Sequence, residues 1–87
     1  MAHFLVTYDL NAQKDYQRLI NELERLKGHR PALSAWFIDL NNTATEVRDH
    51  FSNFVDDDDF LIIVEFSKKP AFTKARAGTN AWISERF

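Results

Sequence analysis

The most constraining stretch of the chain is FLIIVEF, residues 60–66. It is short, continuous and apolar apart from Glu65, with an acidic run before it and Ser67–Lys69 and Pro70 after it. Length and flanks read as a β-strand rather than a buried helix. Successive side chains of a strand point to opposite faces of the sheet, so this one offers apolar groups to both. Any fold that accepts it must cover both sheet faces or leave one as a large sticky patch.

The remaining pattern supplies the partners. His3–Leu10 reads as a strand with Phe4, Val6, Tyr8 and Leu10 on one face and Leu5, Thr7 and Asp9 on the other. Asn11–Lys14 is polar and predicts a loop. Tyr16, Leu19, Ile20, Leu23 and Leu26 recur at helical spacing within Asp15–Lys27, which predicts an amphipathic helix closed by Gly28 in the left-handed conformation. Pro31 has no N–H for a ladder, so the next strand is expected to begin at or after it. Ala32–Leu40 then reads as extended, either one bent strand or two short ones meeting near Ser34. Thr43 with Glu46 matches a capping box, opening a second helix through about Val55 with Val47, Phe51 and Phe54 as its apolar stripe. Asn80–Phe87 reads as a short terminal helix that turns Trp82, Ile83 and Phe87 inward.

Strand, helix, hairpin, helix, strand and tail point to an α+β, ferredoxin-like sandwich, with two helices on one face of an antiparallel sheet and a short C-terminal extension. The 87 residues suit one domain, with residues 1–66 as its core and 67–87 as a basic tail. Two short helices cover one sheet face. A second copy packed on the other gives the expected homodimer.

Composition closes off several classes. At 45% hydrophobic and 28% charged residues the chain is neither disordered nor collagen-like. It has no cysteine, hence no disulfide framework and no thiolate metal site. Gly28 and Gly78 are its only glycines, so there is no glycine-rich phosphate loop. No apolar run approaches the roughly 20 residues of a membrane span, so no membrane partner is expected. No basic stretch followed by an apolar run opens the chain, which fits a cytoplasmic protein. The net charge of −2 is not the overall signature of a nucleic-acid binder. The charge is uneven, however: residues 39–66 hold eight acids and one arginine, while residues 67–87 hold five basic residues and one acid. These segments are expected to pair, within one subunit or across a dimer.

Tyr8-Asp9 at the end of the first strand, Ser34-Ala35-Trp36, the acidic loop and the apolar strand after it resemble the CRISPR-associated protein 2 family over roughly residues 3–66. The family comprises small ferredoxin-like homodimers related to the virulence-associated protein D toxins, and the chain is closer still to its stand-alone bacterial relatives. The resemblance implies that Asp9 faces its copy across a dimer axis and that the pair holds Mg²⁺ or Mn²⁺ for cleavage of RNA or DNA. It also implies that Arg18 steadies a phosphate and that Ser34 belongs to the same site. Many members of the family are non-catalytic scaffolds for DNA integration, so the resemblance alone does not imply an enzyme. The basic cluster that often follows the family's aspartate is replaced here by Lys14, Asp15, Tyr16 and a single Arg18.

Each candidate has a plainer alternative. Asp9 is either a metal ligand or a turn-starting residue that caps backbone N–H groups near Asn11. The run Asp56–Asp59 reads as a solvated turn, since it lacks the alternating ligands and central glycine of a calcium loop. His3, His29 and His50 have no metal-binding spacing. Trp36 and Trp82 either stack on bases or pack in the core or an interface, and the apolar patterns in which both sit favour packing. KKPAFTKAR, residues 68–76, either follows a phosphate backbone or pairs with the acidic segment. Two functions follow: a candidate metal-dependent endonuclease dimer associated with nucleic acid, or a non-catalytic dimer that binds a protein partner in a toxin–antitoxin, CRISPR or anti-defence setting.

Overall fold

The structure, a computed structural model, describes residues 1–9 and 16–87. Leu10, the expected loop Asn11–Lys14 and the expected helix start at Asp15 lie outside the described residues. The elements are β1 (Ala2–Asp9), α1 (Gln17–Arg25), β2 (His29–Ala32), β3 (Ala35–Leu40), α2 (Ala44–Phe51) with a 3₁₀ turn at Ser52–Phe54, β4 (Phe60–Phe66) and α3 (Thr79–Ser84). The four strands form one sheet in the order β2-β3-β1-β4, with every neighbouring pair antiparallel. This is the ferredoxin-like α+β arrangement. FLIIVEF is strand β4 over its full length, paired along one edge of β1 from His3↔Phe66 to Asp9↔Phe60.

One face of the sheet carries the main core. Phe4, Val6 and Tyr8 of β1 and Trp36 and Ile38 of β3 meet Leu19 and Leu23 of α1 and Val47 and Phe51 of α2. The Trp36 indole N–H donates to the Tyr8 hydroxyl at 3.1 Å, so the two largest polar-tipped side chains of this core satisfy each other. The capping box forms as read: Thr43 Oγ1 accepts from the Glu46 N–H, and the Glu46 carboxylate accepts from the Thr43 N–H.

Two local expectations are corrected, and one left open is settled. The left-handed residue that ends α1 is Lys27, with φ 62°, not Gly28. The Gly28 N–H bonds the Leu23 carbonyl and the Lys27 N–H the Glu24 carbonyl, which is the Schellman closure. Gly28 is required for room instead, because a Cβ there would stand 3.0 Å from Trp36 Cε3 and 3.1 Å from the Leu23 carbonyl oxygen. Pro31 lies inside β2 rather than before it. This is tolerated because β2 is an edge strand whose register shifts between His29 and Ala32, so no ladder bond is demanded of Pro31. Its carbonyl accepts from the Arg76 N–H at 2.9 Å, which partly covers the edge. The extended segment is resolved as two strands turning at Leu33–Ser34.

The second face is divided. α3 lies across part of it: Trp82 stacks on Phe37 with ring centroids 5.0 Å apart, and Phe66, Phe87 and His3 close around them. Burying Trp82 and Ile83 contributes on the order of 2 kcal/mol each, which holds a helix too short to persist alone. Along β4 the same face remains open, with Phe60, Ile62 and Val64 exposed by 66%, 56% and 45%. α3 therefore covers part of the face that a second copy was expected to cover, and the strip along β4 stays open. No helix among the described residues is long and apolar enough to cross a membrane.

Candidate functional site

β1 ends beside the β2–β3 turn, and a cavity of about 620 Å³ opens where they meet the start of α1. Asp9, at the end of β1, and Ser34, in the turn, both line it. The turn is fastened to the strand, because the Ser34 carbonyl accepts from Thr7 Oγ1 at 3.1 Å and from the Tyr8 N–H at 3.3 Å. These bonds use the Ser34 backbone and leave its hydroxyl exposed. Tyr16, the N-cap of α1, and Ile20 within it form the opposite wall, with the Tyr16 ring 6.0 Å from that of Tyr8.

The Asp9 side chain is exposed and makes no hydrogen bond or ion pair with the other described residues. It is the only carboxylate among the described residues that line the cavity. Arg30 is the only cation among the described residues that line it. Its guanidinium lies 5.6 Å from the Trp36 ring and donates twice to the Leu33 carbonyl, at 2.9 and 2.5 Å. The ring contact and the paired hydrogen bonds hold a planar donor at the cavity wall with little rotamer freedom. Arg18, expected in this site, is not among its lining residues. It points from α1 to the Asn53 carbonyl, to which it donates at 2.7 Å. Arg30 was not legible as a site residue in the sequence, because its approach to Asp9 depends on β2 being placed two strands away from β1.

The other candidates separate cleanly. Asp56, Asp58 and Asp59 bring carboxylate oxygens within 4.8 Å of one another, the one such group of three or more among the described residues. The Asp59 carboxylate accepts from the Asp56 N–H, and the Asp59 N–H returns to the Asp56 carbonyl, so this run builds a turn. Each histidine has its own partner: His3 Nδ1 with Asp39, His29 Nε2 with Thr79 Oγ1, and His50 Nε2 with Glu22. Both tryptophans are buried, as read. The expected pairing of the basic tail is formed by Arg86 alone, which bonds Asp39 and Glu85. Lys68, Lys69, Lys74 and Arg76 form no ion pair among the described residues, because the tail crosses toward β2 and away from the acidic turn.

A divalent cation at Asp9 would find one carboxylate with nearby hydroxyls. Magnesium keeps several waters and needs only one or two carboxylates beside a phosphate. The donor set therefore fits as half of such a site. No protein-family model matches the chain, and no solved structure matches it.

Proposed function

We propose that the chain is a homodimeric, nucleic-acid-associated protein, a candidate metal-dependent endonuclease in which two Asp9 carboxylates share a divalent cation. The observation that carries this reading is the position of Asp9 on the rim of an uncovered apolar sheet face. Asp9 pairs with Phe60 in the β1–β4 ladder, and Phe60, Ile62 and Val64 are exposed beside it. A two-fold axis through that face buries the apolar strip and brings the second carboxylate that the cavity lacks. The resemblance to the CRISPR-associated protein 2 family supports the same assembly. Mg²⁺ or Mn²⁺, once bound, would lower the pKa of a water and stabilise phosphoryl charge. Asp9 would hold it, the Ser34 hydroxyl would bond a phosphate oxygen, and Arg30 supplies the positive charge that Arg18 does not.

The test is Asp9→Asn with single-stranded RNA and DNA in the presence of Mg²⁺ or Mn²⁺. The Asp9 side chain has no hydrogen-bond or ion-pair partner among the described residues, so the variant should keep the wild-type melting temperature and mass while losing hydrolysis and Mn²⁺ binding. Hydrolysis at the wild-type rate in this variant removes Asp9 from the reaction. One observation favours a second reading: Arg18 is engaged by Asn53 and Arg30 by Leu33, so neither guanidinium is idle. A dimer that shows no hydrolysis with either metal fits the non-catalytic role of binding a protein partner in a CRISPR, toxin–antitoxin or anti-defence setting.

A further inference from the structure

We propose that the arm joining β4 to α3 is a binding groove for single-stranded nucleic acid, separate from the Asp9 cavity. The inference deepens the reading above and rests on it for the class of ligand. Residues 67–78 have no regular structure, although their two ends are anchored by the aromatic cluster at Phe66 and by the bond from Arg76 N–H to the Pro31 carbonyl. At this length a structureless connection is uncommon within a compact domain, and such segments are either functional or linkers.

The arm also concentrates the idle cations among the described residues. Arg18, Arg25, Arg30, Arg48 and Arg86 all donate to a carboxylate or a carbonyl. Among the described basic residues, Lys27 and the four on the arm, Lys68, Lys69, Lys74 and Arg76, have no such partner, and all five are exposed. A chain of net charge −2 has acids to spare for pairing them, so their isolation follows from the path of the arm and not from a shortage of counter-charge.

Between the arm and α3 lies a groove of about 480 Å³ with Lys69 and Phe72 on one side and Asn80 and Ser84 on the other. Asn80 and Ser84 are one helical turn apart, exposed, and make no side-chain hydrogen bond among the described residues. Phe72 keeps 42% of its surface exposed. Lys69 within the groove and Lys68, Lys74 and Arg76 along the arm beside it can follow a backbone, Phe72 offers a ring on which a base stacks, and Asn80 and Ser84 offer amide and hydroxyl groups for base edges, which are the elements of a single-strand site. An acidic peptide would use the cations but not the ring. The far end of the arm, at Arg76, is tied to Pro31, the neighbour of Arg30 in the Asp9 cavity wall. A strand laid along the arm is thus led toward that cavity.

The experiment is fluorescence anisotropy with a labelled 12-nucleotide single strand of mixed sequence, in EDTA so that metal binding and cleavage play no part. Competitors are an abasic deoxyribose-phosphate strand and a polyglutamate peptide of equal length. The variants are Lys68→Ala/Lys69→Ala/Lys74→Ala/Arg76→Ala and, separately, Phe72→Ala. Each phosphate neutralised on a single strand contributes a slope of about −0.7 in log K against log salt, so the fourfold variant should bind with a slope shallower by about 3. Phe72→Ala should weaken binding on the order of tenfold and lose the preference over the abasic strand. Both variants should keep the wild-type mass and melting temperature, since the altered groups are exposed. Absence of binding by the wild type overturns the proposal. So does a fourfold variant with an unchanged slope, which would leave the dimer and Asp9 to be judged by the Asp9→Asn experiment. Competition by polyglutamate as strong as that of the abasic strand, with no effect of Phe72→Ala, would assign the arm to an acidic protein partner instead.

Discussion

Glu22 shows how one side chain joins two elements. It is buried on α1, accepts two hydrogen bonds from Arg25, and receives His50 of α2 at 2.5 Å. The Arg25 hydrogen bonds, and after them that of His50, hold its carboxyl down at about 2 although burial pushes it up. The unfolded chain therefore takes up this proton more readily than the folded protein. The resulting stabilisation is complete above the ordinary glutamate value of 4.5 and is lost as pH falls from there toward 2. Because Arg25 and His50 reach solvent, the effect at pH 6 should be about 1–2 kcal/mol after screening. Melting curves of wild type and Glu22→Gln should differ by that amount at pH 6, draw together as pH falls below 4.5, and converge only below about pH 2. Gly28 makes a second residue-scale prediction. A methyl group there meets the Trp36 ring at 3.0 Å and backbone carbonyls at 3.1 and 3.3 Å, and backbone cannot yield as a flexible side chain would. Gly28→Ala should cost on the order of 1–3 kcal/mol in urea unfolding, although Gly28 has no positive φ to lose.

At the scale of elements, α3 is the piece that turns a two-layer sandwich into a partly three-layered one. It is held by the Trp82–Phe37 stack, by Arg86 on Asp39 at 2.5 Å, and by His29 beneath its first turn. Thr79 Oγ1 spends its proton on the Arg76 carbonyl, so His29 must donate from Nε2 to the threonine oxygen. Burial, and then the nearby Arg86 charge, disfavour the imidazolium and lower the His29 pKa from 6.5. A folded-state value below the unfolded one means that stability is full above 6.5 and declines as pH falls below it. Melting temperatures of wild type and His29→Gln, measured from pH 7.5 to 5.5, should differ most at the high end, with the wild type declining more steeply. Parallel curves would show that His29 does not titrate against the docking of α3.

For the whole molecule, the decisive feature is the strip Phe60, Ile62 and Val64, left open on the sheet face that α3 only half covers. A strand edge and an apolar face at the same place favour self-association. Light scattering at micromolar concentration should give twice the chain mass of 10.2 kDa. Ile62→Lys should give the single-chain mass with a folded far-ultraviolet spectrum, since Ile62 is already 56% exposed in the single subunit. A dimer that survives this change would place the interface elsewhere.

Much of the fold was legible in the sequence because it is written in short-range chemistry. FLIIVEF, the alternation in His3–Asp9, the helical spacing from Leu19 to Leu26 and the Thr43–Glu46 box each depend on neighbours a few residues away, and each appears where local pattern put it. Asp9 and Ser34 could be named as site residues from their motifs, and they do line one cavity. The tertiary structure alone decided the rest, because distance in sequence carries no rule for distance in space. It turned Arg18 to Asn53, brought Arg30 into the Asp9 cavity from a non-adjacent strand, and gave the left-handed position to Lys27 because Gly28 was needed under Trp36. It also folded Trp82 onto Phe37, covering half a sheet face that local pattern left bare, and carried the arm's cations away from the acids that composition had seemed to assign them.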